Sequence, residues 1–367
     1  MALEVHRRGG QERAAAEVLT RLAPDVDLTV IASVCELPGV RHRHVPVALP
    51  PGPTIVRTTR FARAAVRAAA ASAARLTQSI GAAAREADVI TAQFCQAAFT
   101  ARFGGLRGGG GPLRRAWQRA VQARFVADER HAYGAPRLRR VIAVSTGVGR
   151  EIAEHYGVAP ARITVIPNGV DHATFHPVDD AARAALRAAL GLPPDRCLAL
   201  FVGGDWERKG VRDAITAVAG LPDVTFVIVG NGDVEAMRAQ MARVGATDAQ
   251  VVFAGPSREP QRYYQAADLL LFPSRYEAFS LVTLEAAACG LPIVAHAING
   301  TEDLIVDGEN GILSAPGADA LRAHVTRLRD DTALRARLRA AIAATSRRYA
   351  WDRIAAEHLR VLREEAA

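Results

Sequence analysis

Short β-rich apolar runs alternate with amphipathic helical stretches along the whole chain. No other feature constrains the fold as much. Strands separated by helices must cross over to reach their neighbours, which suits parallel pairing and not hairpins. The expected class is therefore α/β with parallel sheets. In the first half, strands are expected at 27–33, 45–49, 88–93, 140–144 and 163–166. In the second half they are expected at 198–203, 224–230, 251–255, 268–273 and 292–295. The alanine-rich stretch 61–85, carrying Arg63, Arg67 and Arg75, predicts one long helix, and 211–220 predicts another. At 367 residues the chain is long enough for two domains. The segment 166–180 has two prolines, an Asn-Gly turn and no sustained periodicity, so it reads as the joint between them. The glycine-rich stretch 104–112 predicts a mobile loop. A final helix is expected from about Ser346, with Trp351, Ile354, Leu359 and Leu362 at roughly helical spacing.

Cysteine and charge narrow the function classes. The four cysteines, Cys35, Cys95, Cys197 and Cys289, stand far apart in sequence. That disfavours a zinc knuckle, a C-x-x-C pair and a disulfide framework, and it predicts reduced, buried thiols in a cytoplasmic protein. No run of 18 apolar residues occurs, and Arg7, Arg8 and two glycines interrupt the start, so neither a membrane span nor a signal peptide is expected. Residues 1–175 carry 24 arginines against 13 acids, or +11, while 176–367 carry 22 basic and 25 acidic residues, or −3. The basic half suits nucleic acid, anionic lipid or an anionic substrate, and a solvated arginine face accounts for the same charge. Basic and aromatic residues do not alternate there, which argues against single-stranded nucleic acid. All but one of the 46 basic residues are arginine. The exception, Lys209 in FVGGDWERKG, either marks a place where a compact ammonium is not equivalent to a planar guanidinium or is a chance survivor on the surface; composition alone fits both.

Four stretches carry candidate chemistry. Gly9 and Gly10 run straight into a helical pattern, whose free N–H groups suit an anion, although Gly-Gly before a helix is usually only a turn. The run FVGGDWERKG ends a buried strand in Gly203 and Gly204 and places Arg208 and Lys209 beyond it, where open α/β sheets bind ligands; two cations there suit a diphosphate, and a solvated loop would carry the same residues. The run VTFVIVGNGD lacks G-x-G-x-x-G spacing and sits in mid-chain, so it reads poorly as a dinucleotide fingerprint. The fourth stretch spans Glu277, Ala278, Phe279, Ser280, Leu281 and Glu285. Here a short loop precedes a helix ending at Gly290, so a phosphate at the helix start would meet the amides of Phe279, Ser280 and Leu281. Glu285 lies one to two turns in, within reach of a ribose diol, and Glu277 precedes the helix, where it can hold a sugar hydroxyl. Two acids flanking a helix by accident would look the same. His172, His176 and His296 form no metal-spaced pair and read as structural.

Together these residues resemble glycosyltransferase family 4, the retaining transferases of the GT-B fold. The stretches VIAVSTGVGREIAEHYGVAPARITVIPNGVDHATFHP and RYEAFSLVTLEAAACGLPIVA carry the likeness, and GGDWERKG is similar to the branch with lipopolysaccharide-core glucosyltransferases. The resemblance implies two Rossmann-like domains facing a central cleft. An acceptor-binding domain would span 1–170, a nucleotide-sugar domain 171–345, and a helix at 346–367 would cross back to the first domain. It implies that Lys209 and Arg208 neutralise a leaving nucleotide diphosphate, that Glu277 binds the donor sugar and that Glu285 binds the ribose. Pro256 and Ser257 would line the base, Phe279 to Leu281 would touch phosphate and sugar, and Gly9 and Gly10 would approach the phosphates. Acceptor-side candidates are Gln93, Gln96 and His131. No metal and no cofactor are expected beyond the nucleotide sugar, with UDP favoured over GDP. Expected partners are a saccharide or lipid-linked acceptor in cell-surface polysaccharide synthesis and an anionic membrane surface facing the basic half, with no nucleic acid.

Three departures stand out. Gly204 occupies a position where many members have arginine, Gln93 and Gln96 stand where many have histidine, and only Ala2 to His6 precede the glycine loop, predicting a short first strand. Two rivals share these residues: another sugar-nucleotide enzyme of the fold, epimerase-like, and a nucleotide-sugar-binding protein without catalysis.

Overall fold

A computed structural model describes residues 1–104 and 111–367. Of the expected glycine-rich loop, residues 105–110 lie outside the described residues. The chain forms two compact units, Met1–Asn168 with Trp351–Ala367, and Gly169–Ala350.

The second unit is built on six parallel strands, in the spatial order Val251–Gly255, Val224–Val229, Cys197–Val202, Leu269–Phe272, Ile293–His296 and Ile312–Ser314. All six residues of Val224–Val229 are buried, so its VTFVIV run shows no alternation. A parallel strand covered by helices on both faces has this pattern. Each large side chain there contributes about 1.5–3 kcal/mol by leaving water. Helix Val211–Val218 covers part of the sheet with Val211, Ala214, Ile215 and Val218 buried. The strand order reverses between Cys197–Val202 and Leu269–Phe272, where Leu269 and Leu270 pair with Ala199 and Leu200. Connections leave these two strands on opposite sides, and the crevice so formed is where open α/β sheets hold ligands. The Ile312–Ser314 strand was not foreseen from the sequence; three residues are too few to show a period.

In the first unit, Gln78–Ile80, Val89–Ala92, Arg140–Ala143 and Ile163–Val165 form a four-stranded parallel sheet. Thr29–Ala32 pairs with Arg43–Pro46, which starts two residues and ends three residues before the 45–49 strand that was expected. Glu4–Val5 is a two-residue strand parallel to Val34–Cys35. The single helix expected over 61–85 is corrected. A helix runs Thr54–Ala70, and the chain then turns into the Gln78–Ile80 strand. Alanine favours helix locally, but pairing overrides it. Ser79 is fully buried, and Asp88 accepts both the Thr77 amide (2.8 Å) and the Thr77 hydroxyl (2.7 Å), which anchors the strand start. Helix Trp351–Ala366 packs on helix Gly10–Leu22 through Trp351, Ile354, Ala355, His358 and Val361, with Leu359 and Leu362 only half-buried.

Candidate functional site

The second unit's switch point collects the predicted cations. Strand Cys197–Val202 leads into Gly203 and Gly204, and a tight loop follows, in which the Trp206 indole donates to the Gly203 carbonyl (2.9 Å). Asp205 sits at φ 51°, the only positive-φ non-glycine residue among those described. The loop closes at Gly210, φ +72°, where a Cβ would meet the Pro273 carbonyl oxygen at 2.2 Å. Only glycine lets the loop approach the end of the Leu269–Phe272 strand this closely. The Arg275 amide then donates to the Arg208 carbonyl (3.0 Å), tying the two loops backbone to backbone.

This approach brings three charges together. The Glu277 Oε1 atom lies 3.3 Å from Lys209 Nζ and 3.1 Å from an Arg208 guanidinium nitrogen, and it accepts the Ser274 hydroxyl at 2.9 Å. The Lys209 and Glu277 side chains are each 13% exposed, so solvent screens the cluster weakly. Lys209 Nζ also stands 5.1 Å from the centre of the Phe272 ring, a cation–π distance. It packs against Gly203, where a Cβ would come within 3.3 Å of it. Arg208 has a second partner in Asp205 (2.6 Å). Burial works against the Arg208 charge, but Glu277 and Asp205 outweigh it and raise its pKa, so the guanidinium is held firmly charged.

The other predicted donor residues of the second half belong to the same unit. Helix Leu281–Ala288 begins after Ser280, whose carbonyl accepts the Thr283 hydroxyl (2.8 Å). Phe279 is buried, its ring 5.8 Å from that of Tyr349, while Ala278 and Leu281 are half-buried. Gly300 crosses over this loop, and a Cβ there would meet the Phe279 Cα at 2.7 Å. Glu285 is 5% exposed and accepts the Tyr264 hydroxyl at 2.8 Å. Its partner, Tyr264, is a residue that sequence reasoning did not single out. Pro256 is exposed, and Ser257 is half-buried and accepts the Glu259 amide (3.0 Å).

The remaining candidates belong to the first unit. Gly9 caps helix Gly10–Leu22 without a side-chain bond, and a Cβ on it would meet the Glu12 carboxylate at 2.1 Å. Gln93 and Gln96 line a cleft, and the Gln96 backbone N–H donates to the Glu129 carboxylate (2.8 Å) while its side-chain oxygen accepts from Gln122 (2.9 Å). His131 is exposed near the end of helix Pro112–Tyr133 and is not part of that cleft's lining. Sequence reasoning missed Asp128 and Glu129, which the same helix does carry into it.

Parallel sheets in two units, one with paired cations at its switch point, define an α/β protein of the doubly wound kind. The comparisons narrow this class. Residues 8–174 match the model of Glycosyltransferase Family 4, and residues 182–345 match that of Glycosyl transferases group 1. The chain belongs to these glycosyltransferases. Its fold is GT-B. It matches the crystal structure of WaaG, a glycosyltransferase involved in lipopolysaccharide biosynthesis, with a TM-score of 0.82, 20% identity and 99% of each chain covered. It matches Anabaena HepE in complex with UDP and glucose with a TM-score of 0.72, 20% identity and 99% of each chain covered. A D-inositol 3-phosphate glycosyltransferase of Xylanimonas cellulosilytica is 36% identical over 257 residues, 65% of this chain and 60% of that one. Its counterpart in Acidothermus cellulolyticus is 39% identical over 237 residues, 59% of this chain and 51% of that one. The chain thus spans 60% and 51% of the length of these two relatives.

Proposed function

We propose that the protein is a retaining hexosyltransferase. It takes a nucleotide diphosphate sugar, with UDP favoured, and transfers the hexose to a saccharide or lipid-linked acceptor in cell-surface polysaccharide synthesis. The observation that carries this reading is the convergence of Lys209 and Arg208 on Glu277 at the switch point. Cleaving the bond between the sugar's anomeric carbon and the diphosphate oxygen leaves negative charge on the diphosphate. Cations already fixed in a weakly screened site stabilise that charge more in the transition state than in the ground state. The acceptor oxygen bonds to the anomeric carbon on the face that the diphosphate leaves, and the acceptor's proton passes to a leaving phosphate oxygen. No side-chain nucleophile is then needed. Glu277 holds the sugar, Glu285 the ribose, and Pro256 and Ser257 flank the base. The relatives support sugar transfer as the class, and HepE with UDP and glucose supports UDP as the carrier.

The test is nucleotide diphosphate release by the purified chain, offered UDP-, GDP- and TDP-sugars with mixed acceptors. Release from none of them would remove the reading and favour a binding protein without catalysis.

Membrane attachment is the second part of the proposal. The start of helix Pro112–Tyr133 exposes Leu113 (86%) and Trp117 (49%) alongside exposed Arg114, Arg115 and Arg119. Apolar side chains among arginines suit an anionic lipid surface. Among the described residues no helix is long and apolar enough to cross a membrane. Co-sedimentation with anionic but not zwitterionic vesicles, weakened by salt, is the expected result.

A further inference from the structure

The left-handed backbone of Asp205, φ 51°, sits in the loop that presents both cations. That region is disfavoured for a residue with a Cβ, and glycine occupies it freely. The loop's shape does not depend on the acid. The Asp205 carbonyl accepts the Lys209 amide (3.0 Å), the Trp206 carbonyl accepts the Val211 amide (3.0 Å), and the buried Trp206 indole holds the Gly203 carbonyl (2.9 Å). These bonds use backbone and indole atoms that remain with any residue at 205.

The Asp205 carboxylate serves Arg208 instead. It accepts the Arg208 Nε–H at 2.6 Å, and its side chain is 57% exposed against 23% for Arg208. Arg208 is already anchored without it, because Nη1 donates to the Tyr276 carbonyl and to Glu277 Oε1 (3.1 Å). The consequence is one of charge. Arg208 and Lys209 bring two positive charges and Asp205 and Glu277 two negative ones, so the cluster is neutral. The pairs beside it balance too, Arg212 with Glu207 (2.7 Å) and Arg275 with Asp213 (3.1 Å). An acid on the solvent-facing side of a cation pair lowers that pair's affinity for anions, and most for the anion of highest charge.

We propose that Asp205 acts through Arg208 as a counter-charge that favours departure of the nucleoside diphosphate product over loss of the donor. This rests on the transferase reading above, in which Arg208 and Lys209 face the diphosphate. Breaking the bond to the sugar leaves a terminal phosphate whose second proton is lost near pH ~6, so at pH ~8 UDP carries about one more negative charge than UDP-glucose. A fixed carboxylate therefore opposes the product more than the donor, and discrimination is that difference. Product release limits turnover in many enzymes, so an acid here has a use that offsets its unfavourable backbone.

The test is calorimetric titration of the full chain and two variants with UDP, UDP-glucose and uridine at pH ~8 and low ionic strength. Asp205→Asn removes the charge and keeps a side chain that tolerates the left-handed region, while Asp205→Gly removes the charge and the Cβ together. At a solvent-like dielectric and a separation of about 6 Å, each phosphate charge facing Asp205 weakens binding about threefold. Both variants should therefore bind UDP-glucose about tenfold and UDP about thirtyfold more tightly than the parent, with the gains shrinking as salt rises. Uridine, which has no phosphate, should bind as before. A purely structural role for Asp205 would move all three ligands alike or none. A gain for UDP below threefold in both variants overturns the proposal. So does a gain for UDP no larger than that for UDP-glucose, or one that uridine matches. UDP binding by the parent without these gains sinks this inference alone. If parent and variants alike bind neither UDP, GDP nor TDP, the transferase reading itself falls.

Discussion

Replacing Lys209 with methionine isolates the charge at the switch point. Methionine keeps an unbranched stem beside the Phe272 ring and Gly203, and loses only the ammonium. Glu277 is not stranded by the change, because Arg208 at 3.1 Å and Ser274 at 2.9 Å still bind the same oxygen. The stability cost is therefore that of one partly buried ion pair, about 1 kcal/mol. For a unit of this size that lowers the melting midpoint by about 2–4 °C. The rate is another matter. Loss of one preorganised group facing developing charge costs about 10²–10³-fold, or about 3–4 kcal/mol. The assay is UDP release under saturating donor, paired with a thermal melt of the same preparation. The loss should appear in kcat and kcat/KM together, since it is a transition-state interaction that is removed. If Lys209→Met keeps its fold and turns over within fivefold of the parent, the ammonium does not meet the leaving group. If only KM rises, its role is ground-state binding.

Other changes probe the scaffold. Gly210→Ala forces a Cβ to 2.2 Å from the Pro273 oxygen at φ +72°, and urea unfolding should show a loss of about 3 kcal/mol or more. Tyr264→Phe removes the 2.8 Å bond to Glu285 and should cost about 1–2 kcal/mol in the same assay, with weaker nucleotide binding by calorimetry. His358 is 4% exposed, and burial lowers its pKa to about 4. The unfolded chain then binds the extra proton below pH ~6.5, so stability should fall as pH drops from there to 4, by up to about 3 kcal/mol. His358→Leu should flatten that slope, and a pH series of urea midpoints reads it.

The second unit was readable because its strands are covered on both faces. Runs such as VTFVIV stay apolar throughout, and their glycine ends mark where loops begin. Lys209, Arg208 and Glu277 were visible as residues of the right type beyond strand ends. Their meeting on one oxygen was not, because it depends on Gly210 passing Pro273, a contact across more than sixty residues that leaves no periodic trace. Ser274, three residues before Glu277, was within reach of local reasoning. Tyr264 was not, since nothing in its own helix points to Glu285. In the first unit alanine content misled. Helix propensity is local, whereas the break after Ala70 is set by strand pairing of Gln78 with Val89 and by the Thr77–Asp88 bonds.

The cluster's geometry also fixes what Glu277 does before any ligand arrives. Arg208 and Lys209 both lie within 3.3 Å of its Oε1, so two like charges are held a few ångströms apart in a weakly screened site. At an effective dielectric of 20, two charges about 4 Å apart repel by about 4 kcal/mol. The shared carboxylate offsets this and holds the cations together. Glu277→Gln should therefore behave unlike Lys209→Met, losing about 2–3 kcal/mol of stability as well as rate, because it leaves two cations facing one amide oxygen. Combining the two substitutions removes the repulsion along with its remedy, so the double variant should be more stable than Glu277→Gln alone. A double-mutant cycle on urea midpoints measures this coupling, expected at about 1–2 kcal/mol. Strictly additive losses would mean that Glu277 and Lys209 are neighbours without being partners, and the case for a preorganised diphosphate site would lose its basis.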